Sequence, residues 1–152
     1  MAAATFSIRL CSWDAAGSDA RRVRELVFVR EQGIPLELEM DQWDARCDHA
    51  LASAADGTIV GTGRLLPDGH VGRMAVLKDW RGRGVGALLL QALVEQARNR
   101  GHANVRLNAQ ADATGFYRRY GFEACGSEFM EAGIAHVVMQ RDLTNAPGGS
   151  AG

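Results

Sequence analysis

Met74-Ala75-Val76-Leu77-Lys78-Asp79-Trp80-Arg81-Gly82-Arg83-Gly84-Val85-Gly86 passes from an apolar, strand-like segment through a glycine-rich turn into a helix. Behind it Val85, Leu88, Leu89, Ala92 and Leu93 fall at i, i+3, i+4, i+7 and i+8, the spacing of one buried helical face. Arg98 and Arg100 suit the negative end of the helix dipole, and Gly101 suits the left-handed position after the last turn. Val105, Leu107 and Ala109 then alternate as a strand. Strand, helix and strand in this order form a right-handed crossover, which makes the two strands parallel and the chain α/β.

The turn exposes backbone N–H groups at the positive end of the helix, an arrangement that suits a phosphate, and glycines leave room for its oxygens. Arg81 and Arg83 add positive charge beside Gly82, Gly84 and Gly86. A tight turn with solvated arginines is the competing reading. A P-loop is excluded because the chain contains no Lys-Ser or Lys-Thr pair. The dinucleotide fingerprint G-x-G-x-x-[GA] is met by Gly82, Gly84 and Ala87, but the next strand ends in Asn108-Ala109-Gln110 without the acid that would hold a ribose.

Upstream, Thr5 to Cys11 alternates as a first strand, and Ser18 offers an N-cap for a helix ending at Gly33 with Val23, Leu26 and Val27 on its apolar side. Residues 34–48 form a loop or broken short helix carrying Glu37, Glu39, Asp41, Asp44 and Asp48 against Arg46, so negative potential is expected there. Asp56-Gly57 predicts a hairpin between Leu51–Ala55 and Thr58–Leu66, with positive φ at both turn positions. Pro67-Asp68-Gly69 turns the chain into a third strand, Val71 to Leu77. Downstream, Asp112 caps a short helix with Ala113, Phe116, Tyr117 and Tyr120 on one face, ended by Gly121. Two strands around Gly133, Phe122–Met130 and Ile134–Asp142, complete a single domain over 1–143, and 144–152 reads as a flexible tail.

Seventeen Lys+Arg against eighteen Asp+Glu, a net charge of −1, argue against nucleic-acid binding by bulk charge. A hydrophobic share of 47% supports a real core, yet no apolar run is long enough to span a bilayer. The first ten residues lack a secretory pattern, and Cys11, Cys47 and Cys125 lack C-x-x-C pairing, so the cytoplasm is the expected location and no metal is expected. Cys47 and His49 form at most half of a metal site.

Arg81-x-x-Gly84-x-Gly86 resembles the [QR]-x-x-G-x-[GA] signature of the GNAT acyltransferase superfamily. Gln110-x-x-Ala113-x-x-Phe116-Tyr117-x-x-x-Gly121-Phe122 resembles that family's N-x-x-A-x-x-[LF]-Y-x-x-x-G-F, with Gln110 standing where Asn is usual. Arg30-Glu31-Gln32-Gly33-Ile34-Pro35 and Glu131-Ala132-Gly133-Ile134-x-His136 are similar to the small bacterial ElaA/YjcF-like branch, and the resemblance runs from about residue 6 to residue 142. It implies a mixed, mostly antiparallel sheet of about seven strands, with a central splayed parallel pair and helices on both faces.

The resemblance also implies an acetyl-CoA-dependent N-acetyltransferase acting directly on a primary amine of a small molecule or peptide. Arg81, Gly82, Arg83, Gly84, Val85 and Gly86 would hold the pyrophosphate, and Met74, Ala75 and Val76 would offer backbone bonds to pantetheine and the acyl oxygen, with Gln110 and Tyr117 also at the cofactor. Tyr117 matches the family's general acid, although packing with Phe116 and Tyr120 alone accounts for its type. A lysine-like amine costs roughly 4–5 kcal/mol to deprotonate at neutral pH, so a base helps. Glu39 is the first candidate, with His49 and His136 as alternatives. Neither nucleic acid nor membrane is an expected partner, and a homodimer is. The alternative is a catalytically silent acyl-CoA-binding regulatory domain.

Overall fold

The computed structural model describes residues 5–144. In chain order it contains β1 (Phe6–Cys11), α1 (Trp13–Arg24), a π-helical turn (Glu25–Glu31), α2 (Leu36–Glu39), a 3₁₀ turn (Asp44–Arg46), β2 (Asp48–Ala54), β3 (Ile59–Leu65) and β4 (His70–Val76). A 3₁₀ turn (Lys78–Trp80) leads to α3 (Val85–Asn99) and β5 (Asn104–Gln110). The chain closes with α4 (Thr114–Arg119), β6 (Glu123–Ala124), β7 (Phe129–Glu131) and β8 (Ile134–Asp142). The eight strands form one sheet in the order β1-β2-β3-β4-β5-β8-β6, with β7 also on β8. Every pairing is antiparallel except β4 with β5.

Alternation along the central strands loads both faces of the sheet. Ala50 and Ala52 of β2 pack with Leu89, Leu90 and Leu93 of α3, whereas Leu51 between them packs with Ala16, Ala20 and Val23 of α1. Helix α3 lies close to β3 because Gly61 and Gly63 present no side chain to it. A Cβ on Gly63 would stand 2.8 Å from Leu93 Cδ1 and 3.2 Å from Met74 Sδ. Gly63→Ala is therefore expected to destabilise the fold by about 1–3 kcal/mol, seen as a lower urea midpoint at unchanged slope. An unshifted midpoint would show that the helix–sheet contact is loose.

Three local expectations are corrected. The first helix starts at Ser12 and not at Ser18, with Asp14 in its first turn, and Gly17 lies inside it beneath the Trp13 ring. It then widens into the π-helical turn, where Val27 and Phe28, adjacent in sequence, are both buried. At the 56–57 turn only Gly57 has positive φ (+92°), with Asp56 Oδ1 accepting from the Thr58 N–H; one left-handed residue suffices for this longer loop. The strand expected over 122–130 is two short pieces, β6 and β7, interrupted at Gly126 (φ +100°), which raises the strand number to eight. The tail beyond residue 144 lies outside the described residues.

Candidate active site

Strands β4 and β5 pair only at His70 with Arg106 and Val71 with Leu107. Immediately afterwards β4 carries an extra residue relative to β3, since Arg64 faces Gly72 but Thr62 faces Ala75. Arg73 lies in this bulge with φ +51°, a left-handed conformation that a non-glycine residue holds only under constraint. The Leu77 N–H donates to the Val60 carbonyl on the β3 side. By strand alternation the Val76 N–H, and Met74 N–H two residues earlier, face the side on which β5 has diverged.

The divergence opens into a cleft of about 740 Å³. Met74, Gln110, Tyr117, Glu39 and His136 all line it, so the structure brings together five of the residues singled out from sequence. Tyr117 is fixed by aromatic contacts, with ring centroids 5.1 Å from Phe116 and 6.0 Å from Phe122. Burial pushes its phenol up to about 12, so the hydroxyl keeps its proton at neutral pH. Gln110 donates from Nε2 to Gln32 Oε1 at 3.0 Å, which ties the end of β5 to the end of the π-helical turn.

The glycine loop leads into α3. Gly82 (φ +77°) and Gly84 (φ +89°) adopt backbone that disfavours other residues, and a Cβ on either would meet no atom within 4 Å. Gly86 differs: its Cβ would face Phe116 and Val76 at 3.6 and 3.8 Å, ordinary contact distances that the aromatic packing can accommodate. Arg81 is engaged within the protein. Its guanidinium grips both oxygens of Glu31 at 2.6 and 2.7 Å and donates to the Val76 carbonyl at 2.9 Å. It braces the end of β4 against the π-helical turn, while Arg83 lies over the Trp80 ring, 5.0 Å from its centroid.

The acidic segment is not the negative wall its sequence suggested, because arginines distant in the chain neutralise it. Arg24, 1% exposed, donates to Glu39 and to both oxygens of Asp44. Arg64 donates to Asp41 and Asp44, and Arg73 donates to Asp41 and to the backbone carbonyls of Leu38 and Glu39. Asp48 is held by Arg100. Hydrogen bonds from Arg64 hold the Asp41 carboxyl down at about 2. Glu39 is accordingly a buried ion-pair member, not a solvated carboxylate.

His49 stands outside the cleft. Its ring packs on Trp13 at 4.7 Å, its Nε2 lies 2.8 Å from the Asp44 carbonyl, and burial pushes its pKa below the ordinary value. Its ring is thus engaged in packing away from the cleft lining. Burial likewise pushes the Cys47 thiol up to about 11, and among the described residues no group of three potential ligands surrounds it or any other point.

Sequence reasoning missed Arg24, Arg64 and Arg73. Only Arg64, in the buried strand Ile59–Leu65, interrupts an apolar stretch; Arg24 and Arg73 carry no such signal. The partners of all three, 15 to 34 positions away, were not readable from spacing.

Comparison with known proteins bears on this arrangement. Residues 32–143 match the family model of the acetyltransferase (GNAT) domain. The N-acetyltransferase YjcF of Bacillus subtilis (strain 168) is 38% identical over 128 residues, covering 82% of this chain and 91% of that protein. Among solved structures, an acyl-CoA N-acyltransferase from Pseudomonas aeruginosa superposes with a TM-score of 0.81 at 28% identity, over 90% of this chain and 99% of that one. Escherichia coli ElaA superposes with a TM-score of 0.80 at 26% identity, with the same coverage. No helix among the described residues is long and apolar enough to cross a membrane. With its splayed parallel pair, its glycine loop at a helix N-terminus and these relatives, the chain belongs to the GNAT acetyltransferase family and is an N-acetyltransferase by class.

Proposed function

We propose that this enzyme transfers the acetyl group of acetyl-CoA directly to a primary amine of a small molecule or peptide, with Tyr117 as general acid. The observation that carries the reading is the divergence of β4 from β5, which turns the Met74 and Val76 N–H groups toward a cleft that Tyr117 also lines. Backbone donors held by a sheet need no reorganisation as negative charge builds on a carbonyl oxygen. In the proposed step the neutral amine nitrogen bonds to the acyl carbon and gives up one proton to a base or water, the C–S bond breaks, the departing sulfur takes the Tyr117 proton, and solvent returns a proton to the phenolate. The loop from Arg81 to Gly86 receives the pyrophosphate on its backbone N–H groups at the positive end of α3, and the Gln110 amide lies beside the pantetheine path.

The test of cofactor placement follows from the loop geometry. Gly84→Asn keeps a residue type that tolerates positive φ and adds a side chain to open space. Calorimetric titration is expected to show acetyl-CoA binding weakened at least about tenfold, with the melting temperature changed by only a few degrees. Undiminished affinity would place the pyrophosphate elsewhere.

A further inference from the structure

We infer that His136 is the general base that relieves the acceptor amine of its proton. The inference rests on the transferase reading and assigns one further role within the same cleft. Strand β8 registers His136 opposite Gln110, and β7 registers Phe129 opposite His136, with the two rings stacked at 5.9 Å and 28°. The hairpin that fixes this pairing closes through Ala132 and Gly133, both at positive φ (+53° and +79°). The backbone is thus paired on both sides, and the imidazole is stacked on the Phe129 ring.

Its protonation pattern is held too. Nδ1 lies 2.7 Å from the Ile134 carbonyl oxygen, a contact that is a hydrogen bond only when Nδ1 carries the proton. The neutral ring then has its lone pair on Nε2, which makes no hydrogen bond among the described residues and belongs to a side chain lining the cleft. A tautomer set by a backbone carbonyl is how a histidine is prepared to accept a proton at its other nitrogen.

Position along the sheet agrees. Gln110 is three residues beyond Leu107 and Met74 is three beyond Val71, the last β4–β5 pair. His136 and Met74 therefore line one cleft from strands on either side of β5, which leaves room for an amine or an amine with one bridging water. The charged and titratable groups sharing the cleft are Glu131 on the same hairpin, His70, Asp68 and Arg73 on or beside β4, Arg64 on β3, Glu39 and Asp41 around α2, and Tyr117 on α4. Carboxylates and guanidiniums keep their charge through neutrality, which leaves His70 as the other imidazole to control for. Glu39 is occupied by Arg24 and Arg73.

The experiment measures kcat/KM against pH from 5.5 to 9.5 with the best acceptor from an amine panel, for the wild type, His136→Gln, His136→Asn, Glu39→Gln and His70→Asn. The wild type is expected to level off within this range once the base is free of its proton. Both His136 variants are expected to fall about 10²-fold at pH 7 and to climb about tenfold per pH unit toward pH 9, as the amine deprotonates unaided. Glu39→Gln and His70→Asn keep the plateau. Imidazole ¹⁵N spectra of the unliganded wild type give an independent reading, expected to show the Nδ1–H tautomer. A plateau preserved in both His136 variants, its loss in Glu39→Gln instead, or an Nε2–H tautomer would overturn the assignment. A wild type that binds acetyl-CoA and acetylates no amine overturns the transferase reading and the base with it, whereas transfer with an unchanged profile in the variants overturns the base alone.

Discussion

Tyr117→Phe is expected to lower kcat by about 10²-fold or more near neutral pH while leaving acetyl-CoA affinity within about twofold. The ring remains, so the contacts with Phe116 and Phe122 that fix this end of the cleft persist, and only the hydroxyl is lost. A phenol raised to about 12 is a weak acid for a free thiolate, whose ordinary partner thiol has a pKa of about 8.5. The leaving sulfur is not free, however. The desolvation that raises the phenol also disfavours a naked thiolate beside it, and burial lifts the Cys47 thiol of this same protein to about 11. A desolvated sulfur is thus a stronger proton acceptor than a free thiolate in water. Steady-state rates with a burst experiment to confirm that chemistry is limiting make the comparison, and an unchanged kcat under that condition would mean that another group protonates the sulfur.

The second large effect concerns stability. Arg24→Met is expected to cost about 3–5 kcal/mol, read from urea unfolding at pH 7, because it leaves the Glu39 and Asp44 carboxylates buried without their shared guanidinium. Arg24→Lys should restore little, since one ammonium cannot reach both carboxylates as the planar fork does. The same network makes acid unfolding legible. Asp41, at about 2 in the folded chain against an ordinary 3.8, contributes stability that is complete above about pH 4 and is lost as pH falls through 2. The Arg24→Met deficit should shrink in acid, where the wild type loses the Asp44 charge that Arg24 helps to hold ionised. A deficit under about 1 kcal/mol at pH 7 would show that water reaches these charges.

The parts of the molecule legible in sequence are those set by local chemistry. Helix α3 and its glycine boundaries followed from a 3.6-residue period, and the parallel pairing of β4 with β5 followed from the handedness of the crossover. The parts that were not legible depend on tertiary partners. Arg73 reads as an ordinary strand residue until its bulge and its bonds to the α2 segment are seen, and the acids at 39, 41 and 44 read as a negative surface until Arg24 and Arg64 fold onto them. His136 could be placed among three candidate bases from sequence, but its distinguishing feature, a ring nitrogen 2.7 Å from the Ile134 carbonyl oxygen beside the Phe129 ring, exists only once the hairpin is closed.

The most direct test of acetyl transfer is to incubate the purified chain with acetyl-CoA and a panel of simple amines, polyamines, aminoglycosides and peptides, measuring free thiol and product mass together. Acetyl transfer predicts thiol release that depends on at least one amine and is matched, mole for mole, by that amine carrying one added acetyl group. Saturable acetyl-CoA binding by calorimetry, with thiol release no greater than the hydrolysis background for every amine, would contradict it and leave a catalytically silent acyl-CoA-binding domain.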